Sequence, residues 1–243
     1  MNENRDDLFA KNRARTQGFR FDEQVVKVFP DMIARSVPGY ELIVPMIGLL
    51  ARRYAQEGTR IYDLGCSLGA ASLAMAGAVA APGVEIIAVD NARAMVERLE
   101  KTLAGDAVRV PIHARLGDIR ETPIENASVV VLNFTLQFVD RGARLALLQR
   151  IANGMQTGGA LIVSEKICFE DADEQSEQTE WHHDFKRTQG YSELEIAQKR
   201  NALEKVLVPD TEAEHFARFE RAGFRRPRRW FQCFSFASYI AFK

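Results

Sequence analysis

Ile61-Tyr62-Asp63-Leu64-Gly65-Cys66-Ser67-Leu68-Gly69 is the stretch that decides the fold. Arg60 to Leu64 reads as a short strand. Ala70 to Ala80 reads as a helix stopped by Pro82-Gly83, so the glycines between them form a strand-to-helix turn. In a doubly wound fold such a turn sits at the carboxyl end of the first strand, where ligands bind. Gly65 lets the backbone turn tightly and approach a ligand with no Cβ in the way. Gly69 permits close packing as the helix starts. GxGxxG is absent, so this is not a dinucleotide fingerprint. No Gly-Lys-Ser/Thr follows, so it is not a phosphate loop.

Working outward, strands and helices alternate. Val84 to Asp90, Val108 to Leu116 and Ser128 to Asn133 read as strands, with helices from Ala92 to Leu103 and from Arg141 to Ala152. Val129-Val130-Val131-Leu132 is a continuous apolar run, as a strand covered on both faces requires. Gly158-Gly159 reads as a turn before a buried strand, Ala160 to Ser164. This pattern predicts an α/β, Rossmann-like, mostly parallel sheet with right-handed crossovers. Upstream, Val25, Val28, Phe29, Met32 and Ile33 predict one or two short helices interrupted by Pro30. Ser36 to Tyr40 is a turn, and a helix from Glu41 to Tyr54 follows. Downstream of Lys166, residues 170–209 are polar and helical, a helical insertion whose acidic start reads as a solvated face. A helix ends at Phe216 to Ala222. Arg229–Cys233 and Ser235–Phe242 then close the sheet as a hairpin, giving seven strands with an antiparallel C-terminal strand. Residues 1–20 read as a flexible arm and 21–243 as one domain.

The 243 residues carry 32 basic and 33 acidic side chains, a net charge of −1, so no global field favours nucleic acid or anionic lipid. With 47% hydrophobic and 27% charged residues the composition is globular, which excludes a disordered or collagenous chain. Cys66, Cys168 and Cys233 are odd in number and far apart, so neither a disulfide framework nor a zinc site is expected. No apolar run is long enough to cross a bilayer, and the first twenty residues lack a signal-peptide core. A soluble, cytoplasmic protein with no membrane partner is the expectation.

An acidic residue just before the first glycine resembles the first motif of class I S-adenosylmethionine-dependent methyltransferases. Asp63 would then accept from the ammonium end of the methionine moiety. Asp90 ends the second strand, where a carboxylate bonds ribose hydroxyls; it also reads as an N-cap for the helix at Ala92. Gly117-Asp118-Ile119 follows the third strand, where this superfamily sets a carboxylate and an apolar side chain against the adenine, and an ordinary turn aspartate also fits. Asn133 ends the fourth strand, at the edge where the reacting centre would lie. The sequence after it, Phe134-Thr135-Leu136, lacks the paired prolines of amino-group methyltransferases.

Three further features call for a reading. His182 and His183 are adjacent on a helix and point about 100° apart, so they read as packing or hydrogen-bonding residues, and no metal site is expected. Ser192-Glu193-Leu194-Glu195 reads as a capping box. On the helix it opens, Arg200 falls in the apolar stripe of Ile196, Leu203 and Leu207, so it is either a snorkelling side chain or an arginine that clamps a carboxylate. Arg225, Arg226, Arg228 and Arg229 read as a solvated loop.

Longer strings extend the match. They include Phe21-Asp22-Glu23, Val28-Phe29-Pro30-Asp31-Met32-Ile33, Arg35 to Tyr40, Tyr62 to Ala70, Leu132 to Phe138, His182 to Arg187, Gly190 to Ile196 and Trp230 to Phe234. Together they resemble the carboxy-S-adenosyl-L-methionine synthase family over nearly the whole chain from Phe21, and Ser67 belongs to that family's pattern. The resemblance implies conversion of S-adenosyl-L-methionine and prephenate into carboxy-S-adenosyl-L-methionine and phenylpyruvate. A partner tRNA carboxymethyltransferase then uses the product on a wobble uridine. It implies ligand binding by Tyr40, Gly65, Cys66, Ser67, Asp90, Asn91, Asp118, Ile119, Asn133 and Arg200. It also implies a homodimer in which Arg200 reaches the neighbouring subunit's site.

The chemistry fits that reading. A methyl on a sulfonium is acidic because the positive sulfur stabilises the ylide. Carbon dioxide released from prephenate beside it would be captured, with the departing hydroxyl as base. The protein must then exclude water, hold the parts together and bind the new carboxylate. The same glycine turn and carboxylates also suit an ordinary methyltransferase, or a silent subunit with a vestigial pocket.

Overall fold

The computed structural model describes residues 5–8, 22–105, 108–203 and 206–243. Two helices precede the sheet: α1 (Glu23–Ala34), capped by the Asp22 carboxylate, and α2 (Tyr40–Tyr54). The alternating part is β1 (Arg60–Leu64), α3 (Ala70–Ala78), β2 (Glu85–Asp90), α4 (Arg93–Gly105), β3 (Ile112–Leu116) and β4 (Ala127–Asn133). A 3-10 turn, Leu136–Phe138, leads to α5 (Arg141–Gly154) and β5 (Met155–Lys166). Then come α6 (Ala172–Thr188), α7 (Glu193–Leu203), α8 (Glu212–Arg221), β6 (Arg225–Cys233) and β7 (Phe236–Phe242).

The strands form one seven-stranded sheet in the order β3-β2-β1-β4-β5-β7-β6. β1 to β5 are parallel, and β7 runs against both β5 and β6. The period of two sorts the side chains into two layers. Ile61, Val129, Val131 and Ile162 pack under α2 and α3, whereas Tyr62, Leu64, Val130, Leu132, Leu161 and Val163 pack with α5 and α8. The same period turns Asp63 and Asn133 toward the α2–α3 layer, at the carboxyl ends of neighbouring strands.

Four expectations need correction. α1 runs through Pro30 as one helix, at the loss of one backbone bond. Gly158-Gly159 is not a turn: both lie inside β5, and a Cβ on Gly159 would stand 2.7 Å from the Ser128 carbonyl oxygen, so glycine lets β5 press against β4. Arg225 to Arg229 lie not in a loop but on β6, the edge strand, where charge discourages pairing with another sheet. The third strand is shorter than expected, beginning at Ile112 and not at Val108.

The N-terminal stretch is described only at residues 5–8, where Arg5 and Asp7 are exposed. Asp6 is buried, accepts from the Tyr191 hydroxyl and from Lys199 Nζ at 3.2 Å, and its carbonyl accepts from Arg35 Nη1 at 3.2 Å. The rest of the arm, and Phe21, lie outside the described residues.

Candidate active site

A cavity of about 270 Å³ opens at the carboxyl ends of β1 and β4, between the glycine turn and α1. Phe29, Pro30 and Ile33 of α1 form one wall, and Tyr40, Asp63 and Asn133 the other, with Gly65, Cys66 and Ser67 between them. The turn is held by its backbone: the N–H groups of Gly65 and Cys66 both donate to the Val89 carbonyl, at 2.8 and 3.0 Å. Gly65 has φ +83°, and a Cβ there would come 2.3 Å from Thr135 Cγ2, on the loop that follows Asn133. Gly65→Ala is therefore expected to cost about 2 kcal/mol or more in urea unfolding. It should also weaken calorimetric S-adenosylmethionine binding by shifting the loop. Unchanged values in both would show that the close approach is relaxed at no cost.

Asp63 is 1% exposed. Its Oδ2 accepts from Ser72 Oγ of α3 at 2.6 Å, and its Oδ1 has no hydrogen-bond partner among the described residues. Asn133 Oδ1 is likewise buried and has no hydrogen-bond partner among the described residues. Two orphaned acceptors facing one cavity call for a group rich in donors, and a carboxylate among them favours a cation. The ammonium end of an S-adenosylmethionine methionine moiety meets both demands. Burial pushes the Asp63 carboxyl up to about 6. Burial, and then the charge of Asp63, pushes the Tyr40 phenol above its usual range, so it stays protonated and stacks obliquely 6.3 Å from Phe134. Burial also holds the Cys66 thiol well above its usual range, with the Asp63 and Asp90 charges adding to the effect. Cys66 is a wall of the cavity and not a nucleophile.

The Asp90 carboxylate serves the start of α4, and it is not among the residues that line the cavity. Oδ1 accepts from Ala92 N and Oδ2 from Ser67 N, each at 2.8 Å, so the carboxylate ties the glycine turn to the start of α4. Each oxygen keeps a lone pair for a hydroxyl. Asn91 beside it is exposed. Asp118 and Ile119 are not brought to the cavity. Asp118 accepts from Arg120 Nη2 at 2.6 Å, and the Ile119 side chain packs in the α5–α8 layer. Their loop still touches the site's edge, since Gly117 N donates to the Asp90 carbonyl at 3.0 Å.

The capping box at Ser192 and Glu195 is in place, with Glu195 N donating to Ser192 Oγ at 3.3 Å and Ser192 N to Glu195 Oε2 at 2.8 Å. The helix phase is not the expected one. α7 buries Ile196, Lys199 and Ala202, and Arg200 is exposed, with no hydrogen bond or ion pair among the described residues. Lys199, which the sequence reading passed over, is the cation that turns inward. His182 is buried as a hydrogen-bonding residue, its Nε2 2.8 Å from the Ser36 carbonyl oxygen. No group of three metal-ligating side chains occurs among the described residues.

The sheet order, the glycine turn and the carboxylate-lined cavity define a class I S-adenosylmethionine-dependent methyltransferase fold. Residues 61–159 match the methyltransferase domain family. A putative O-methyltransferase of Nostoc punctiforme superposes with a TM-score of 0.65 at 20% identity, covering 91% of this chain and 59% of that one. Human N-acetylserotonin methyltransferase, solved in complex with S-adenosylmethionine, superposes with a TM-score of 0.60 at 17% identity, over 91% of this chain and 55% of that one. This chain thus spans less than two thirds of either structure, and the likeness is one of fold.

Within that class the chain belongs to the carboxy-S-adenosyl-L-methionine synthase family. It is 54% identical over 244 aligned positions to the synthase of Trichlorobacter lovleyi, covering 100% of both chains. It is 51% identical over 239 positions to the synthase of Klebsiella pneumoniae, covering 98% of this chain and 97% of that one.

Proposed function

We propose that this chain converts S-adenosyl-L-methionine and prephenate into carboxy-S-adenosyl-L-methionine and phenylpyruvate. The geometry that carries the reading is the pair of orphaned acceptors, Asp63 Oδ1 and Asn133 Oδ1, in one cavity. S-adenosylmethionine brings a methyl group whose C–H bonds are acidified by the adjacent sulfonium. Asp63 and Asn133 hold its ammonium end. Asp90, fixed by Ser67 N and Ala92 N, offers its remaining lone pairs to the ribose, with Asn91 beside it. Asp118 and Ile119 close the adenine side once the Asp118–Arg120 pair opens. Phe29, Pro30 and Ile33 exclude water from the methyl group, which protects a basic carbon from protonation by solvent.

Arg200, exposed on α7 and without a hydrogen bond or ion pair among the described residues, reaches a second copy of the chain in this reading and clamps the new carboxylate bidentately. Trp181 and Leu194, 44% exposed each on α6 and α7, give that copy apolar surface to cover. The product would supply a tRNA carboxymethyltransferase acting on a wobble uridine, a cytoplasmic role. The chain itself, with a net charge of −1, is not expected to bind the nucleic acid. No helix among the described residues is long and apolar enough to cross a membrane.

The test is to denature purified protein, weigh its small molecules by mass spectrometry, then repeat after adding S-adenosylmethionine and prephenate. A species one carboxyl group heavier than S-adenosylmethionine supports the reading. S-adenosylhomocysteine alone, with no heavier product, returns the chain to ordinary methyl transfer. Arg200→Ala is expected to remove the preference for the carboxylated molecule over S-adenosylmethionine in a competition titration. Equal affinities in the wild type would show that Arg200 has no such role.

A further inference from the structure

Lys166 and Lys186 are inward-facing ammonium groups that the reading above does not use. Lys166 ends β5. Two and four residues before it stand Ser164 and Ile162, and Ile162 packs in the α2–α3 layer, so the period of two turns Lys166 to that same face. Ser164 pairs with Asn133, and Val131 with Asp63. Asp63, Asn133 and Lys166 therefore step across β1, β4 and β5, about 4.8 Å per strand, toward the carboxyl edge.

Lys186 comes down on this place from above. It is 7% exposed on α6, one turn after His182 and on the same face. The His182 ring meets the Phe236 ring edge-on at 4.8 Å, and Phe236 is the β7 partner of Lys166. Phe236 in turn lies 6.1 Å from Phe134, the residue after Asn133. The inner face of α6 thus lies on the Phe236–Phe134 side of Asn133, next to the cavity and outside the residues that line it.

Neither ammonium has a hydrogen bond or an ion pair among the described residues, in contrast to Lys199, which meets Asp6 at 3.2 Å. Burial pushes Lys186 down to about 7, and the charges that add to this are Lys199, Lys166 and Arg200, every one a cation. Burial lowers Lys166 as well. His182 is held neutral by burial and by these lysines, and supplies no counter-charge. Gathering desolvated cations with no anion is costly unless a ligand brings the anion.

We propose that Lys166 and Lys186 bind the carboxylates of the second substrate, a compact organic dianion held next to the methyl-bearing end of S-adenosylmethionine. The inference rests on the reading above, in which prephenate is that substrate.

The experiment is calorimetric titration of prephenate into protein saturated with S-adenosylhomocysteine, which has no methyl group to carboxylate. The wild type is expected to bind. K166M and K186M should each bind prephenate about 10- to 100-fold more weakly, the range for a lost charged hydrogen bond. Their affinity for S-adenosylhomocysteine should be unchanged, which certifies the fold; where K186M fails that control, K186Q takes its place. K186R should recover most of the prephenate affinity, which a purely space-filling role would not require. Wild-type binding retained within twofold in both methionine variants overturns the site. A wild type that binds no prephenate and forms no heavier product overturns the underlying reading, and the site with it.

Discussion

Asp63→Asn is expected to weaken S-adenosylmethionine binding by about 10²- to 10³-fold, the cost of removing one partner of a desolvated charge pair, while making the ligand-free protein more stable. Burial is the largest influence on this carboxyl. The Ser72 hydrogen bond opposes it, Asp90 reinforces it, and the result lies at about 6 against an ordinary 3.8. A carboxyl whose pKa is higher folded than unfolded binds its proton more tightly in the folded state. Its contribution to stability is complete below about pH 4 and is lost as pH rises through about 6. Two units correspond to about 3 kcal/mol at neutral pH. Asparagine keeps the shape and the acceptor for Ser72, and never ionises. Differential scanning fluorimetry at pH 8 should show the ligand-free variant melting roughly 5 °C above the wild type. At pH 4 the gap should close. A variant that melts lower at both values and still binds S-adenosylmethionine would mean that Asp63 is a structural acceptor and nothing more. Activity and stability pull against each other at this residue because a cation site must be built before its cation arrives.

Asp63 and Asn133 were legible in the sequence because each ends a strand with a strong local signature, and the period of two puts both on one face. The sheet was legible for the same reason: apolar runs bounded by glycine and proline leave few alternatives. Phase on a helix is weaker information. From Ile196, steps of three and four residues lead to Lys199 and Arg200 alike, and propensity does not choose between them. The choice is made by Asp6, more than 190 residues away, whose carboxylate takes Lys199 inward and leaves Arg200 to solvent. The arginines of β6 misled in another way. Four positive charges around a proline suggest a loop, but β7 offers an apolar strand to pair with, and an edge strand tolerates charge. The wall built by α1 was hidden because nothing local in Phe29, Pro30 and Ile33 says which surface they face.

The second large effect lies where no local signal exists at all. Asp210, with a fully buried side chain, takes Arg144 on Oδ2, together with Arg218 at 2.7 Å, and Arg141 on Oδ1 at 2.7 Å. Arg144 is 1% exposed and also donates to the carbonyls of Val139 at 2.9 Å, Val208 at 2.8 Å and Gln137 at 3.2 Å. Glu165 accepts from Leu136 N and Gln137 N, each at 2.8 Å, so the turn that follows Asn133 is gripped from both sides. Burial alone would raise the Asp210 carboxyl, but Arg144 and Arg218 outweigh it and hold it below its ordinary value. Its stabilisation is therefore present at neutral pH and is lost as pH falls through that depressed value. Asp210→Ala strands Arg144 as a buried charge, which is expected to cost about 3–5 kcal/mol in urea unfolding at pH 7. Replacing Arg144 as well, in R144M/D210A, should return part of that loss, because a packed apolar side chain needs no counter-ion. Additive losses in the double variant, or a loss under about 1 kcal/mol in Asp210→Ala, would mean that water and the carbonyls of Val139, Val208 and Gln137 satisfy the Arg144 guanidinium without Asp210. The partial recovery should extend to folding but not to S-adenosylmethionine affinity. Arg144 also fixes the carbonyls of Gln137 and Val139, and through that turn the reach of Asn133 into the cavity.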